Sequence, residues 1–156
     1  MDYGHEHWMQ KALNLAKLAE EKGEVPIGAV LVKDNVVIGE GYNQVISLHD
    51  PTAHAEILAL RDAATVLKNY RLPETTLYVT LEPCSMCAGA IVHARVKHLV
   101  FAASEPKAGS VVSQGCFFEQ EFLNHKTTFQ GGVLEVKCSQ LISYFFKNKR
   151  QEKLEK

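Results

Sequence analysis

Two short motifs place metal-binding side chains at the starts of two predicted helices, and this arrangement limits the folds open to the chain. His54 lies in the first turn of one predicted helix, and Cys84 and Cys87 lie in the first turn of another. Residues three apart on a helix share a face, and a helix N-terminus stabilises thiolates. One imidazole and two thiolates suit zinc in tetrahedral geometry, with the fourth position open for water. The fold must therefore bring the two helix starts together.

Glu56 turns this predicted metal site into a predicted active site. It follows His54 by two positions, and the first turn of a helix can aim both side chains toward one pocket. Its carboxylate can take a proton from zinc-bound water and later give it to a leaving amine. A closed apolar pocket beside the metal would raise the pKa of Glu56 toward neutrality, which both steps need.

The Cys-x-x-Cys pair has two other interpretations. It could be a redox pair, or half of a structural zinc site whose fourth ligand would be Cys116, Cys138 or another histidine. The upstream His-x-Glu favours the catalytic interpretation. We therefore interpret Cys116 and Cys138 as packing residues, and His93 and His98 as structural or surface histidines.

Hydrophobic periodicity predicts helices that alternate with strands, and hence an α/β layered fold with helices packed on a central sheet. Asp34-Asn35 suits a two-residue hairpin turn, and Thr52 is a predicted helix cap. The predicted elements are a first helix with Trp8, Ala12, Leu15, Ala16 and Ala19 on one face and Gly23 as its stop, strands at 27–33, 36–42, 76–81 and 98–103, helices at 53–66 and 84–94, a short strand at 133–136, and a last helix from about Ser139.

Length and composition predict one soluble domain over residues 1–156. Hydrophobic residues make up 46% of the chain and charged residues 22%, which is typical of a globular protein. The N-terminus has no signal-peptide pattern, and no apolar stretch approaches the roughly 20 residues that a membrane span needs. We therefore expect a cytoplasmic protein with no membrane partner, where a Cys-x-x-Cys pair is more often a metal or redox motif than a disulfide.

The C-terminal end is locally basic on an acidic body. The net charge is −1, but the last ten residues, with Lys156 included, carry +3. The predicted helix at about 139–154 is therefore a candidate phosphate-contacting extension, with Lys149 and Arg150 as its candidate contacts. Phe145 and Phe146 are adjacent and must face different ways, so one can pack inward while Phe146 offers a stacking surface. A solvated helix end with cations favoured by the helix dipole explains the charge equally well.

The two motifs together carry a resemblance to a known family. His54-Ala55-Glu56 with Pro83-Cys84-Ser85-Met86-Cys87 resembles the H-x-E…P-C-x-x-C signature of the zinc nucleobase deaminases. Within that family the chain is similar to the bacterial tRNA-specific adenosine deaminases. The similarity runs from about His5 to Gln151 and includes HEHWMQKALNLA, EVPIGAVLV, HDPTAHAEILALR, NYRL, TLYVTLEPCSMCAGAIVHARV and the FF-x-x-x-RQ of the tail.

The resemblance implies a fold, a cofactor and partners. The fold would be a three-layer α/β/α cytidine-deaminase-like architecture with a central mixed sheet, in a homodimer with one Zn²⁺ per subunit. The small, apolar helix around Ala88-Gly89-Ala90 would suit close packing across the dimer interface. The substrate would be a tRNA anticodon stem-loop, whose wobble adenosine becomes inosine. A single-stranded loop lowers the cost of extruding the target base.

The resemblance also implies residue roles. Asn43 would contact the base, with help from the Ala55 backbone N–H, and Glu105 stands where the family usually carries an Asp that contacts substrate. A second departure is Gln44-Val45-Ile46, where an Arg-Pro pair is common. In the implied mechanism, zinc-bound hydroxide attacks C6 of adenine, Glu56 protonates N1 and then the amino group, and ammonia leaves.

Other functions fit the same catalytic residues. A deaminase of free guanine, of cytosine or of a riboflavin precursor would use the same four side chains. A non-catalytic RNA-binding relative is the alternative from a different class. The extent of the similarity and the basic, aromatic C-terminal helix favour the tRNA substrate, and the presence of Glu56 with all three ligands argues against a non-catalytic protein.

Overall fold

The computed structural model describes residues 3–155, so Lys156 of the basic tail and the first two residues of the N-terminus lie outside it. Within that range no helix is both long enough and apolar enough to cross a membrane. The elements, in chain order, are α1 (His5–Glu21), β1 (Gly28–Lys33), β2 (Val36–Tyr42), α2 (Ala55–Leu67), β3 (Thr76–Leu81), α3 (Ser85–His93), β4 (His98–Ala103), a short 3₁₀ helix (Phe117–Glu119), β5 (Thr128–Gln130) and α4 (Glu135–Leu154).

The five strands form one mixed sheet in the order β2-β1-β3-β4-β5. β1 pairs antiparallel with β2 and β3, whereas β3, β4 and β5 run parallel. Parallel neighbours need a crossover, and α3 provides it between β3 and β4. The strand bounds of β3 and β4 agree with the predicted ranges.

Helices cover both faces of the sheet, because successive side chains of a strand point to opposite sides. On one face, Leu31, Leu77 and Leu99 pack in a cluster with α2 and α3. On the other face, Val30 and Val100 pack in a cluster with α1 and α4. The structure therefore confirms the predicted three-layer α/β/α fold with a central mixed sheet.

The tight turns follow the predicted chemistry. Asp34 and Asn35 have φ values of 50° and 63°, the left-handed backbone that a two-residue hairpin of this type requires. Gly23, with φ of 78°, lies just beyond the end of α1. These residue types tolerate a positive φ, so the prediction from the sequence is confirmed at both positions.

Two helices begin later than predicted. α2 begins at Ala55 with His54 as its N-cap residue, and α3 begins at Ser85 with Cys84 as its N-cap residue. The hydroxyl of Thr52 donates to the carboxylate of Asp50 at 2.7 Å instead of capping α2. The prediction that Thr52 caps the helix is therefore wrong. His54 and Cys84 lie at helix boundaries, directly before α2 and α3.

The predicted strand at 133–136 is also wrong. The edge strand is β5, five residues earlier, where Thr128 and Phe129 pair with β4. Val133 and Leu134 pack instead against the core cluster under α1 and α4, and α4 begins at Glu135 rather than near Ser139. A short apolar run has no clear period, so it predicts burial better than it predicts strand or helix.

Candidate metal centre and active site

The structure brings the three predicted ligands together at one end of the sheet. The nitrogen and sulfur atoms of His54, Cys84 and Cys87 all lie within 4.8 Å of one another. His54 Nδ1 is 3.7 Å from Cys84 Sγ and 3.5 Å from Cys87 Sγ. No fourth His, Cys, Asp or Glu joins this group within residues 3–155. One nitrogen and two sulfur donors fit a transition-metal ion, and three protein ligands are typical of a catalytic site rather than a structural one.

Local backbone conformation places these donors. His54 and Cys84 have extended backbone, with ψ values of 153° and 176°, directly before α2 and α3. Neither side chain caps its own helix, so the imidazole and the thiol are free to converge. Cys87 is the third residue of α3 and is fully buried. Two helix N-termini therefore face one point, and their dipoles favour negative charge there.

Proton sharing reflects this close approach. Hydrogen bonds from Cys87 and His54 lower the pKa of Cys84 to about 3. The hydrogen bond to Cys84 raises the pKa of His54, and the same neighbour, together with burial, raises the pKa of Cys87. The three donor atoms are thus close enough to bind one cation, which would displace the protons that they share.

Glu56 lies beside the donor group without belonging to it. The residue is 4% exposed and occupies the first turn of α2. Burial raises its pKa to about 7, although a hydrogen bond with the Cys87 thiol acts in the opposite direction. A carboxyl group with this pKa can both accept and donate a proton near neutral pH, which general acid–base catalysis requires.

A small cavity of about 160 Å³ opens onto these residues. It is smaller than the pockets of roughly 300–1,000 Å³ that hold drug-sized ligands, so it fits a single flat heterocycle. It also lies at the carboxyl ends of two parallel strands, where ligands of open α/β sheets bind. Its lining residues are Ile27, His54, Glu56, Leu81, Glu82, Cys84, Glu105 and Ala108.

The two predicted base contacts are bonded to each other. Asn43 is buried directly after β2, and its Oδ1 accepts the Ala55 backbone N–H at 2.8 Å. The structure therefore gives the Ala55 N–H an acceptor inside the protein, a partner that the sequence did not predict. β2 and α2 approach so closely here that a Cβ on Gly41 would clash with the Ala55 carbonyl oxygen. Asn43 consequently fixes the helix start that carries His54 and Glu56.

Glu82 lines the cavity and was not predicted from the sequence. This buried carboxylate accepts the backbone N–H groups of Glu105, Val111, Val112 and Ser113 at 2.8–3.1 Å, and the Ser113 hydroxyl at 2.6 Å. Burial alone would raise the pKa of Glu82, but these hydrogen bonds, those from Ser113 foremost, lower it. The only signal in the sequence is an acidic residue between a buried strand and the Pro-Cys motif.

Replacing Glu82 by Ala should loosen the loop at 104–113, because five donors would lose their acceptor. We expect a loss of roughly 3 kcal/mol or more in the free energy of unfolding, since each buried unpaired donor costs about 1–3 kcal/mol. Urea unfolding measures the loss. The exposed Glu121→Ala is the control, and an equal effect of both substitutions would contradict this role.

The C-terminal residues lie apart from the cavity. Phe145 is 8% exposed and Phe146 is 42% exposed, so one ring packs inward and the other faces solvent, as adjacent helical positions require. Lys149 lies 5.5 Å above the Phe145 ring and 3.7 Å from the Glu152 carboxylate. Arg150 is exposed. None of these side chains is among those lining the cavity.

The chain is similar to known deaminases over most of its length. A family model described as MafB19-like deaminase matches residues 3–150. The tRNA-specific adenosine deaminase of Haemophilus influenzae is 54% identical over 149 residues, which cover 95% of this chain and 86% of that protein. One solved structure comes from studies of A-to-I editing by tRNA:A34 deaminases at the wobble position of transfer RNA. It matches with a TM-score of 0.85 and 46% identity, over 86% of this chain and 98% of its own.

A guanine deaminase structure from Bacillus subtilis is more distant, with a TM-score of 0.65 and 35% identity over 91% of this chain and 94% of that chain. The resemblance found in the sequence is thus confirmed over nearly the whole chain. By family match and by identity, the chain belongs to the MafB19-like deaminases and to the family of bacterial tRNA-specific adenosine deaminases.

Proposed function

We propose that this protein catalyses the hydrolytic deamination of adenosine to inosine at the wobble position of a tRNA anticodon loop. The observation that carries the proposal is a buried carboxyl group, Glu56, beside three converging metal donors in a cavity sized for one base. The 54% identity to a tRNA-specific adenosine deaminase supports adenosine in RNA as the substrate.

His54, Cys84 and Cys87 would hold one Zn²⁺ per chain, since a nitrogen and two sulfur donors match its preferences. When bound, zinc lowers the pKa of water, so that a nucleophile is available near neutral pH. The neighbouring helix N-termini stabilise the two thiolates that this ion needs.

Glu56 then moves the protons. It takes a proton from the attacking water and delivers it to N1 of adenine as the water oxygen bonds to C6. It next takes the proton of the new hydroxyl on C6 and gives it to the exocyclic amino group, the C6–N bond breaks, and ammonia leaves while the oxygen stays on C6 as a carbonyl. A pKa of about 7 suits both directions of transfer.

Asn43 and Glu105 would position the base and its sugar. Because Asn43 Oδ1 accepts the Ala55 N–H, its amide nitrogen is the group that remains to donate to an acceptor on the base edge. Glu105 lines the cavity and is held there because its backbone N–H donates to Glu82. Both residues would hold the adenosine in the orientation that the reaction needs, and correct orientation by itself lowers the activation barrier.

The C-terminal part of α4 would contact the RNA around the target. Phe146 offers an exposed ring for stacking, and Lys149 and Arg150 offer charge for phosphate. This helix would be an extension of a single deaminase domain rather than part of the catalytic cavity.

Replacing Phe146 by Ala should raise the KM for tRNA by about 10-fold, because base–aromatic stacking contributes about 1–3 kcal/mol per base. The kcat at saturating tRNA should change little. Tyr144→Ala is a matched control, since Tyr144 is also exposed on α4. Equal KM values for the Phe146 variant and the wild type would contradict the contact.

We propose a homodimer formed through the face between α2 and α3. A cleft of about 530 Å³ there has an apolar lining that includes Ile57, Leu60, Tyr70 and Ala90, and the Tyr70 ring is 77% exposed. An apolar surface of this kind is typical of a protein–protein interface. Sedimentation velocity should give twice the mass of one chain, and a monomer at micromolar concentration would overturn the proposal.

We also propose a cytoplasmic location. All four cysteines are free, which is typical of proteins in a reducing compartment, and a tRNA substrate is consistent with it.

Free-guanine deamination is the second candidate, favoured by the shared fold and 35% identity of the guanine deaminase structure. The test is to incubate the purified protein separately with a tRNA transcript bearing a wobble adenosine, with guanine, with cytosine and with cytidine, and to measure ammonia in each reaction. Ammonia from the tRNA alone is the expected result. Ammonia from guanine, with the tRNA unchanged, would assign the same residues to a free base.

A further inference from the structure

A basic cleft lies at the opposite end of the sheet from the candidate active site. Its volume is about 460 Å³, and its lining residues are Asn69, Arg71, Pro73, Glu74, Arg95, Lys97 and His125. Lys97 directly precedes β4 and Glu74 lies just before β3, whereas the catalytic cavity lies where these strands end. Six residues of strand separate the two sites by about 20 Å, so the cleft is distinct from the cavity.

The charges in this cleft are not balanced internally. Glu74 is its one carboxylate, and it already pairs with Lys97 at 3.0 Å. Within residues 3–155, neither Arg71 nor Arg95 has a carboxylate within ion-pair distance. The chain as a whole carries a net charge of −1, so two unpaired arginines in one concave site are not a consequence of general basicity. Such a site attracts an anion.

The backbone around the two arginines is fixed by hydrogen bonds. Arg95 has a φ of 64° in the turn between α3 and β4, a left-handed conformation that is uncommon for such a residue. Its N–H donates to the Val92 carbonyl at 3.0 Å. The Arg71 N–H donates to Asn69 Oδ1 at 3.0 Å, and His125 Nε2 donates to the Val96 carbonyl at 2.8 Å. The cleft is therefore a defined surface rather than a loose group of side chains.

The Arg71 side chain lies against an aromatic ring. Its guanidinium is 5.5 Å from the centroid of the Tyr70 ring, a residue that also lines the apolar cleft of the proposed dimer face. Stacking on a ring limits the orientations of a guanidinium while its N–H donors stay free. Two planar guanidinium groups match phosphate oxygens in a bidentate manner, and this match distinguishes phosphate from a simple monovalent anion.

We propose that the cleft lined by Arg71 and Arg95 binds backbone phosphates of the RNA substrate, outside the loop that enters the catalytic cavity. The proposal rests on the proposed function, because it assigns the ligand as the same RNA. A phosphodiester backbone is a polyanion long enough to reach a second site about 20 Å away. The cleft contributes affinity and register, and no base reading.

The test uses the double variant Arg71→Gln/Arg95→Gln and a matched control, Lys11→Gln/Lys137→Gln, which removes two exposed charges elsewhere. Binding of a full-length tRNA transcript is measured by filter retention at several salt concentrations, with turnover measured in parallel. We expect the double variant to bind about 10-fold more weakly and the slope of log K against log salt to fall by about 1–2, with kcat at saturation retained. Arg71→Lys/Arg95→Lys should keep most of the slope, because it keeps the charge.

Unchanged tRNA affinity and slope in the Arg71→Gln/Arg95→Gln variant would overturn the proposal. Equal losses in the control variant Lys11→Gln/Lys137→Gln would overturn it as well. Inorganic pyrophosphate is the second probe. If it raises the melting temperature of the wild type but not of the double variant while tRNA binding is unchanged, the cleft holds a free phosphate and the RNA assignment is wrong. The binding assay does not depend on turnover, so a protein that binds tRNA through the cleft but fails to deaminate it would refute the proposed function and not the cleft.

Discussion

Replacing Glu56 by Gln is expected to lower kcat on tRNA by about 10²–10⁴-fold, the usual contribution of a general acid–base group. The amide has nearly the same shape but cannot take a proton from water and pass it to the base. Glu56 is not one of the converging donors, so the variant should keep one metal ion per chain. Single-turnover kinetics measures the rate, and elemental analysis measures the metal.

Glu121→Gln is the control, since it removes an exposed carboxylate that does not line the cavity and should have wild-type kinetics. If the Glu56 variant retains more than about a tenth of the wild-type kcat, another group moves the protons and the proposed role is wrong. If it loses its metal, the effect on rate has a structural cause instead.

Replacing Cys84 or Cys87 by Ala should remove the metal and abolish activity, with a loss of at least about 10³-fold, because only two protein donors would remain. The zinc content measured by elemental analysis should fall from about one ion per chain in the wild type to near zero in either variant. Incubating the wild type with a strong chelator should have the same effect, and added Zn²⁺ should restore activity to the wild type alone.

Cys116→Ala is the matched control, because this thiol lies outside the donor group and should retain both metal and activity. Circular dichroism of each variant shows whether the fold persists, since Cys87 is fully buried. A folded Cys84 or Cys87 variant that keeps zinc would contradict the assignment of these ligands.

The parts of the molecule that follow local rules could be predicted from the sequence. The hairpin turn at Asp34 and Asn35 depends on two residues that tolerate a positive φ. The strand 98–103 is a short apolar run after His98, bounded by Lys97 and Ser104, and its observed bounds match. The meeting of His54 with the two cysteines was predictable because the donor types and spacing leave few other chemical uses.

The contacts that hold the site in place could not be predicted, because they join residues far apart in the chain. Glu82 accepts donors from residues 23–31 positions later. Glu24 is fully buried and accepts the N–H and hydroxyl of Ser47, both at 2.8 Å, which fixes the loop before His54. A glutamate in a sequence is usually exposed, and only the fold shows which donors compensate for its burial. The Asn43–Ala55 bond likewise arises where a strand end meets a helix start.

The most direct test of the central claim is to incubate the purified protein with a tRNA transcript bearing a wobble adenosine in water enriched in heavy oxygen. The tRNA is then digested and its nucleosides are analysed by mass spectrometry, with ammonia measured in the same reaction. We predict inosine at the wobble position alone, carrying the heavy oxygen, with one ammonia released for each inosine. An unchanged wobble adenosine, or inosine that lacks the heavy oxygen, would contradict hydrolytic deamination of tRNA by this protein.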